Sequence, residues 1–190
     1  MKLINKKIYF YADPHFGHKN VIKYCNRPFS SVSEMNSTLI KNFNKTVEHD
    51  AIIYILGDFS FLNTESTKQI LKALKGFKIL VKGNHDPKPN SYYRKLGFSE
   101  VYDKSIIFKN KFILSHEPID DRLYKDGCFI NIYGHLHNNA KNNDNMKFCC
   151  SVEMIDYKPI SFDDILKNLR TKWGIGPEPF TARVDYWEDL

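Results

Sequence analysis

Short runs of apolar residues recur along the chain, and each run ends in polar residues. A continuous apolar run of about four to eight residues between turn residues is typical of a β-strand that is buried on both faces. The sequence therefore predicts five strands, which are Lys7–Tyr11, Ala51–Leu56, Phe77–Val81, Lys111–Leu114 and Phe129–Tyr133. Each strand is followed by side chains that can ionise or bind a metal ion.

Helical patterns separate the first three strands. Apolar residues recur at helical spacing over Ser33–Val47 and Thr64–Leu74, and Gly76 is suited to end the second helix. A later helix is predicted to begin at Ser161, whose hydroxyl can cap it while Asp164 stands three residues further on. Strands that alternate with helices indicate an α/β fold with a largely parallel sheet, whose strand ends meet at one edge.

The C-terminal part of the chain is less regular. Asn138–Asn145 has the composition of a loop, and Met146–Met154 is predicted to form a further strand. Glycines and prolines follow Trp173, where they favour irregular backbone. We therefore predict one domain over residues 1–190, in which residues 173–190 form an irregular C-terminal tail.

Composition narrows the class of protein and its location. The 190 residues are 42% hydrophobic and 26% charged, which is typical of a globular protein that needs no disulfides. The four cysteines show no C-x-x-C spacing, and no apolar run approaches the roughly 18 residues of a membrane span. We therefore expect a cytoplasmic protein with reduced thiols and no membrane contact. The net charge of +6 favours anionic partners, and the sequence does not indicate an oligomeric state.

Histidines concentrate at the polar strand ends. Asp13 and His15 stand two positions apart, so extended backbone points both side chains to one side, as two ligands of one ion require. His135 and His137 repeat this spacing after a later strand. The two pairs are therefore candidate metal ligands.

Two further strand ends add oxygen ligands. Asn84 offers an amide oxygen, and Asp58 offers a carboxylate that can bridge two cations. Oxygen and imidazole ligands without thiolate suit Mn, Fe, Zn or Mg, and they argue against Cu(I) and iron–sulfur chemistry.

These residues stand in the order of a known set of motifs. The sequence resembles the calcineurin-like metallophosphoesterases through Asp13-x-His15, Gly57-Asp58, Gly83-Asn84-His85-Asp86, a lone His116 after a strand, and Gly134-His135-x-His137. The resemblance covers Lys7 to His137 and, more weakly, the segment to Arg170. A further string resembles the small, capless members from bacteria and phages, namely His15-Phe16-Gly17-His18 with Arg27-Pro28-Phe29. The resemblance implies a four-layer αββα sandwich of two mixed β-sheets flanked by helices.

The resemblance also implies a dinuclear centre. Mn is the expected metal, with Fe, Zn, Mg or Ni as alternatives. The implied ligands of the first ion are Asp13, His15 and His137, and those of the second are Asn84, His116 and His135, with Asp58 bridging both. A hydroxide between the ions would attack phosphorus. His85 is then the candidate general acid for the leaving oxygen, and Asp86 would hold its ring in the correct tautomer.

Other residues near these motifs have more than one interpretation. His18 is a candidate substrate contact or a helix cap, and Arg27 is a candidate substrate clamp or else a surface or helix-anchoring residue. The aromatic residues are expected mainly in the core. Some of them are candidates to line a pocket for a base or an aryl group, namely Tyr24, Phe59 and Phe61.

Differences between this sequence and related motifs indicate whether the substrate is a phosphate diester or a monoester. In phosphoprotein phosphatases of this superfamily, arginines accompany the aspartate and asparagine motifs, whereas here Phe59 follows Asp58 and Lys82 precedes Gly83. A phosphomonoester dianion gains more from bidentate guanidinium contacts than a diester monoanion does. We therefore expect a phosphodiesterase that acts on a phosphate ester such as a nucleotide or oligonucleotide.

Alternative functions stay open at this point. A phosphomonoesterase acting on nucleotides or small molecules would need an arginine from elsewhere in the fold, such as Arg27, Arg94 or Arg122. A non-catalytic metal-binding scaffold would be expected to lose its catalytic groups, yet His85 and Asp86 are present. A nuclease for long nucleic acid would carry a capping domain, for which the segment after His137 leaves little room.

Overall fold

Two mixed β-sheets with flanking helices form the fold, which confirms the predicted α/β class. The computed structural model describes residues 6–120, 130–140 and 146–173. The strands of this described part are β1 (Ile8–Tyr11), β2 (Ile52–Leu56), β3 (Phe77–Val81), β4 (Glu100–Tyr102), β5 (Ile106–Phe108), β6 (Phe112–Leu114), β7 (Ile130–Tyr133), β8 (Lys147–Cys149) and β9 (Ile160–Ser161). Its helices are α1 (Lys19–Tyr24), α2 (Val32–Thr46), α3 (Thr64–Ala73), α4 (Asn90–Leu96) and α5 (Phe162–Trp173).

Some predictions lie outside the described residues. They concern Arg122, the first residue of the predicted strand Phe129–Tyr133, most of the predicted loop after Asn138, and the tail beyond Trp173. Within the described part, no helix combines the length and the apolar character needed to cross a membrane.

The first sheet has the strand order β4-β3-β2-β1-β9, and all its strands are parallel except the edge strand β9. Successive side chains of β1 point to opposite faces, as they must in a strand. Tyr11 packs edge-on against Phe43 of α2, with ring centroids 5.5 Å apart. Phe10 points the other way and meets Phe108 of β5 at 5.7 Å. The first sheet is therefore buried on both faces.

The second sheet has the strand order β5-β6-β7-β8, in which β5 is antiparallel and the other strands are parallel. Aromatic rings fill the space between the sheets and α5. Phe162, the first residue of α5, contacts Phe108 at 5.3 Å and Phe112 at 5.1 Å between ring centroids. Edge-to-face pairs of this kind stabilise a core beyond the area that they bury.

The two sheets are joined at the end where their parallel strands stop. Ala12, directly after β1, donates its amide to the carbonyl of Cys150 at 3.0 Å and accepts the amide of Val152 at 3.0 Å. Cys150 and Val152 follow β8, so these two hydrogen bonds connect the first sheet to the second. We call this pairing the seam. It brings the carboxyl ends of both sets of parallel strands to one place.

The seam also explains why one predicted strand is shorter than expected. The prediction extended this strand over Met146–Met154, but β8 ends at Cys149. Ser151 leaves the second sheet to pair with Ala12, and Val152–Met154 then form a 3₁₀ turn. Strands β4, β5 and β9 and helices α1 and α4 were not predicted, because two to seven residues are too few for a hydrophobic period to be recognised.

The predicted cap of the last helix is confirmed. Ser161 Oγ accepts the amide of Asp164 at 3.1 Å and donates to its carboxylate at 2.6 Å. We expect Ser161→Ala to lower the free energy of unfolding by about 1 kcal/mol, because an amide of the first helical turn loses its acceptor. Urea denaturation measures this change. Ser37→Ala on the exposed face of α2 is the control, and an equal loss there would show that the cap contributes nothing specific.

Candidate functional site

The candidate site lies at the carboxyl ends of six strands. Most of the predicted site residues follow β1, β2, β3, β6 and β7, as Asp13, His15, Asp58, Asn84, His85, Asp86, His116, His135 and His137. Two residues that the sequence analysis missed, Ser151 and Glu153, follow β8. The loops after β1 and β2 continue the pairing of their strands, since the amides of Asp13 and His15 donate to Gly57 and Asp58 at 3.2 and 3.1 Å.

Five of the predicted ligands have left-handed backbone. Their φ angles lie between 49° and 68°, in Asp13, His15, Asp58, His135 and His137. Residues other than glycine rarely adopt this conformation, which costs about 1–3 kcal/mol when the surrounding structure enforces it. Here it turns each side chain from the direction of its strand toward a common point. Five of the ten non-glycine residues with positive φ in the described part are thus predicted ligands.

Close approach of the loops depends on glycine. A Cβ atom on Gly134 would lie 2.6 Å from Cβ of Ala12 and 2.6 Å from Oδ2 of Asp13. Both distances are far shorter than a van der Waals contact. Only glycine therefore lets the loop after β7 come close enough for the amide of His135 to donate to Asp13 Oδ2, at 2.8 Å.

The first group of predicted ligands surrounds Asp13. One ligand atom each from Asp13, His15 and His137 can be chosen so that all lie within 4.8 Å of one another. Asp13 is fully buried, and its Oδ2 also accepts a hydrogen bond from Ser151 Oγ at 2.6 Å. These bonds fix the carboxylate so that its other oxygen, Oδ1, faces the group.

The second group of predicted ligands surrounds His116. Its Nδ1 lies 2.9 Å from the carbonyl of Leu56, which can only accept, so Nδ1 carries the proton. In the neutral ring Nε2 then presents a lone pair, and it lies 2.8 Å from Asn84 Oδ1 and 3.1 Å from His135 Nδ1. Asp58 Oδ2 is 3.5 Å from the same Nε2. One ligand atom from each of Asn84, His135 and Asp58 therefore lies within 3.5 Å of this ring nitrogen.

Asp58 connects the two groups. Its Oδ2 is 3.5 Å from His116 Nε2 and also 3.5 Å from His15 Nε2. Its Oδ1 accepts the amide of His85 at 2.9 Å, which fixes the orientation of the carboxylate. A carboxylate placed in this way can contact a cation in each group.

Buried polar atoms that lack a hydrogen-bond partner among the described residues indicate whether metal ions fit this site. Asp13 Oδ1 and both ring nitrogens of His15 are buried and have no hydrogen-bond partner among the described residues. Such atoms are costly unless a ligand completes them. Their donor types, carboxylate oxygen and imidazole nitrogen, match those preferred by divalent ions. The residues present therefore fit a metal centre.

Burial also controls the charge of these groups. It lowers the pKa of His15 to about 2, with further contributions from the charges of His137 and Arg27, so the ring is neutral and able to bind a cation. Burial raises the pKa of Asp13 to about 6, although the neighbouring His116 and His137 partly oppose the shift. A buried carboxylate with a raised pKa is one that an added positive charge would stabilise.

Arg27 is not placed as a substrate clamp, which corrects one of the two predicted roles. Its side chain is fully buried, and its guanidinium donates to the carbonyls of Asp13 and Pro14 at 2.8 and 2.9 Å. It also forms a salt bridge with Glu153 at 2.7 Å. All of its terminal nitrogens are thus used inside the protein, where they hold the loop after β1.

Glu153 was missed in the sequence analysis although it orients a predicted ligand. Its Oε1 accepts from His137 Nδ1 at 3.0 Å, which leaves Nε2 of that ring for a cation. Burial lowers the pKa of His137, but hydrogen bonds to Cys25 and Glu153 outweigh it and raise the pKa to about 10, so a cation at Nε2 would have to displace a proton. Glu153 follows β8 in the same way that other site residues follow their strands. That regularity is the signal that would have identified it.

Asp86 differs from its predicted role as the partner of the His85 ring. Its carboxylate is buried and accepts backbone amides from Asp58 at 2.7 Å, Gly83 at 3.0 Å and Phe59 at 3.4 Å. Burial raises its pKa, while the amide of Gly83 opposes the shift. Asp86 therefore joins the loops after β2 and β3, and acts on the site through the backbone.

His85 and His18 lie at the rim of the site. The His85 side chain is 48% exposed, and its Nε2 is 4.0 Å from Asp58 Oδ2. His18 stands at the N-cap position of α1, as one predicted alternative had it, but its side chain makes no capping hydrogen bond. Its ring stacks on Phe61 with centroids 4.2 Å apart and lies 5.6 Å from that of His15. Both histidines can therefore reach a ligand that approaches from solvent.

Comparisons with known proteins agree with this geometry. A family model described as calcineurin-like phosphoesterase matches residues 6–185. The uncharacterized protein MJ1445 of Methanocaldococcus jannaschii is 39% identical over 173 residues, which cover 85% of this chain and 90% of that protein. The gene 66 protein of Mycobacterium phage L5 is 38% identical over 84 residues, 41% of this chain and 39% of its own. A solved structure, the protein of unknown function AQ665 from Aquifex aeolicus, has a TM-score of 0.67 and 32% identity, covering 86% of this chain and all of that one.

The burial of Arg27 leads to a prediction about stability. We expect Arg27→Met to lower the free energy of unfolding by about 3–5 kcal/mol, because it removes one of the two charged partners of the buried Glu153 and leaves the carbonyls of Asp13 and Pro14 without their donors. Urea denaturation measures the loss. Arg94→Met is the control, because Arg94 is half-exposed and pairs with Glu100 only at 3.8 Å. Unchanged stability with a raised KM would instead indicate a substrate clamp.

Proposed function

Because the chain belongs to the calcineurin-like phosphoesterases, which are metal-dependent hydrolases of phosphate esters, we propose that it is a dinuclear phosphodiesterase. The observation that carries the proposal is that Asp58 lies 3.5 Å from a histidine nitrogen of each ligand group, beside buried atoms that have no hydrogen-bond partner in the described part of the chain. Two adjacent clusters that share one carboxylate are suited to two ions that act on one phosphate.

The proposed ligands follow from the two groups. Asp13, His15 and His137 hold the first ion, Asn84, His116 and His135 hold the second, and Asp58 contacts both. The donor set of oxygen and imidazole suits Mn²⁺, which we propose as the metal, as well as Fe, Zn, Mg or Ni. When bound, the two ions would supply a hydroxide nucleophile at neutral pH and positive charge that attracts the phosphate.

His85 supplies the proton in this proposal. Its ring is exposed at the rim while its backbone amide is bound to Asp58, so the ring lies beside the ligand groups without belonging to them. As the ester P–O bond breaks, its electron pair stays on the leaving oxygen, which takes the proton from His85. Phosphorus gains the hydroxyl in exchange. Asp86 is a positioning residue that fixes the loop carrying His85.

His18 is proposed as a substrate-binding residue. The ring is held by stacking on Phe61, and it lies on the same side of the site as His15 and His85. Its Nδ1 is buried and has no partner among the described residues. Burial lowers the pKa of His18, followed by the charge of His85, so the neutral ring is favoured.

The preference for a diester rests on the arginines. Of those in the described part, Arg27 is fully used by main-chain carbonyls and Glu153, Arg94 pairs with Glu100, and Arg170 is exposed on α5. None of these three supplies a bidentate contact at the ligand groups. A diester monoanion needs less guanidinium charge than a monoester dianion. We propose nucleotide or oligonucleotide diesters as the substrate class.

The cellular setting is part of the same proposal. Cys25, Cys149 and Cys150 are buried free thiols. Thiols persist in this form in reducing compartments, which supports a cytoplasmic location.

The test of the proposed function compares two aryl esters. The protein is reconstituted with Mn²⁺ and assayed on bis(p-nitrophenyl) phosphate and on p-nitrophenyl phosphate. We expect the diester to have the higher kcat/KM, and we expect Asp58→Asn to lose most bound metal and nearly all turnover. Preference for the monoester would contradict the diester proposal. Unchanged metal content and turnover in Asp58→Asn would contradict the ligand assignment.

The role of His85 predicts a dependence on the leaving group. His85→Ala should lower kcat about 10²–10⁴-fold on a dinucleoside phosphate, because an alkoxide leaves poorly without a proton. The loss should be much smaller on bis(p-nitrophenyl) phosphate, since p-nitrophenolate is a stable anion. Metal content should stay at the wild-type level, and His49→Ala, at an exposed histidine, should change nothing. An equal loss on both substrates would argue against general-acid catalysis.

A further inference from the structure

A cavity of about 200 Å³ lies beside His85 and outside the two ligand groups. One wall is formed by the loop after β2, with Phe61 and Leu62, and the other by α4 and the turn before it, with Tyr92 and Lys88. His85 itself lines the end of the cavity that lies nearest the ligand groups. None of the steps proposed above uses this space.

Phe61 separates the cavity from the ligand groups. Its ring centroid is 5.0 Å from that of His85 and 5.3 Å from that of His15. The same ring lines the cavity and is 42% exposed, so a ligand can reach it from solvent. A molecule that lies against Phe61 in the cavity is therefore next to the proton donor.

The position of His85 indicates which part of a substrate would enter the cavity. His85 protonates the oxygen that leaves phosphorus, so the group attached to that oxygen must extend from phosphorus past His85. The cavity is lined by His85, Phe61 and Tyr92, so it lies beside the proton donor. It is therefore placed to hold the leaving group and not the group that stays on phosphorus.

The walls indicate the chemistry of that group. They combine aromatic and apolar side chains, such as Phe61, Tyr92 and Leu96, with the polar side chains of Ser60 and Thr67, and sites of this mixed kind bind planar rings by stacking and burial. A dry cavity of about 150 Å³ is already large enough for benzene, whereas drug-sized molecules need about 300 Å³ or more. The space therefore suits one ring. The exposed ammonium of Lys88 at its edge favours a ring that carries negative charge nearby.

We propose that this cavity is the leaving-group subsite, and that it binds a planar aromatic group carried by the leaving alcohol. A pyrimidine nucleoside and an aryl alcohol are members of this class. The inference rests on the proposed function, because it takes His85 as the group that faces the leaving oxygen.

The experiment compares two diesters that release the same leaving group. Methyl p-nitrophenyl phosphate and bis(p-nitrophenyl) phosphate both release p-nitrophenolate, but only the second retains an aryl group on phosphorus. Tyr92→Ala removes one aromatic wall, and we expect it to raise KM about tenfold for both diesters, which corresponds to about 1.4 kcal/mol. Tyr92→Phe keeps the ring and loses only the 3.0 Å hydrogen bond to Thr64, so it should behave like the wild type.

Three other outcomes would each contradict the proposed leaving-group subsite. A raised KM for the bis-aryl diester alone would place the retained group in the cavity. No change for either diester would mean that the cavity binds neither group. Equal losses in Tyr92→Phe and Tyr92→Ala would trace the effect to the hydrogen bond with Thr64.

A binding measurement separates this inference from the proposed function. NMR titration of the metal-free protein with p-nitrophenol should show saturable binding that Tyr92→Ala weakens and Lys95→Ala, at an exposed lysine that does not line the cavity, leaves unchanged. Binding without any turnover in the wild type would overturn the proposed phosphodiesterase and keep the aromatic site. Turnover without such binding would overturn the subsite and keep the phosphodiesterase.

Discussion

The structure depends on one constraint. Polar atoms that have no hydrogen-bond partner in the described part of the chain must be held close together in the interior. Asp13 Oδ1 and the ring nitrogens of His15 lie in the interior without hydrogen-bond partners among the described residues, and burial of such groups costs about 1–3 kcal/mol or more for each. Left-handed backbone at five ligand positions adds to that cost. The rest of the fold has to supply the opposing free energy, which it does through the aromatic core between the sheets and through hydrogen bonds that leave the ligand loops little freedom.

Two buried carboxylates act on the site from behind the proposed ligands. Asp86 gathers three backbone amides and so ties the loop after β2 to the loop after β3. Glu153 links the guanidinium of Arg27 to the ring of His137. Neither faces the space where a phosphate would bind. Their function is to orient the loops and the histidine ring that they bind. Because both partners of each contact are buried, these interactions are strong.

The sequence was sufficient to predict the frame of the site but not its supporting contacts. Apolar runs that end in polar residues identified five strand ends, because this pattern is local and each run is long enough to be recognised. The family of the chain followed from the motifs at these ends. The partners of Arg27 could not be predicted, since Glu153 is 126 residues away and the pairing exists only after both sheets have formed. The role of Asp86 was misjudged for a related reason, because adjacency to His85 in the sequence says nothing about which way a side chain turns.

The seam has a consequence for how the molecule comes apart. Asp13, His15, Asp58 and Asn84 stand on the first sheet, whereas His116, His135 and His137 stand on the second. Each proposed ion would therefore take ligands from both sheets. Separating the two sheets would break both sets of ligands at once. By mass action, an ion that binds only the closed form stabilises it in proportion to the logarithm of its concentration. The free energy of unfolding would then depend on the metal concentration in solution as well as on the protein core. Removing the ions with a chelator would therefore destabilise the fold.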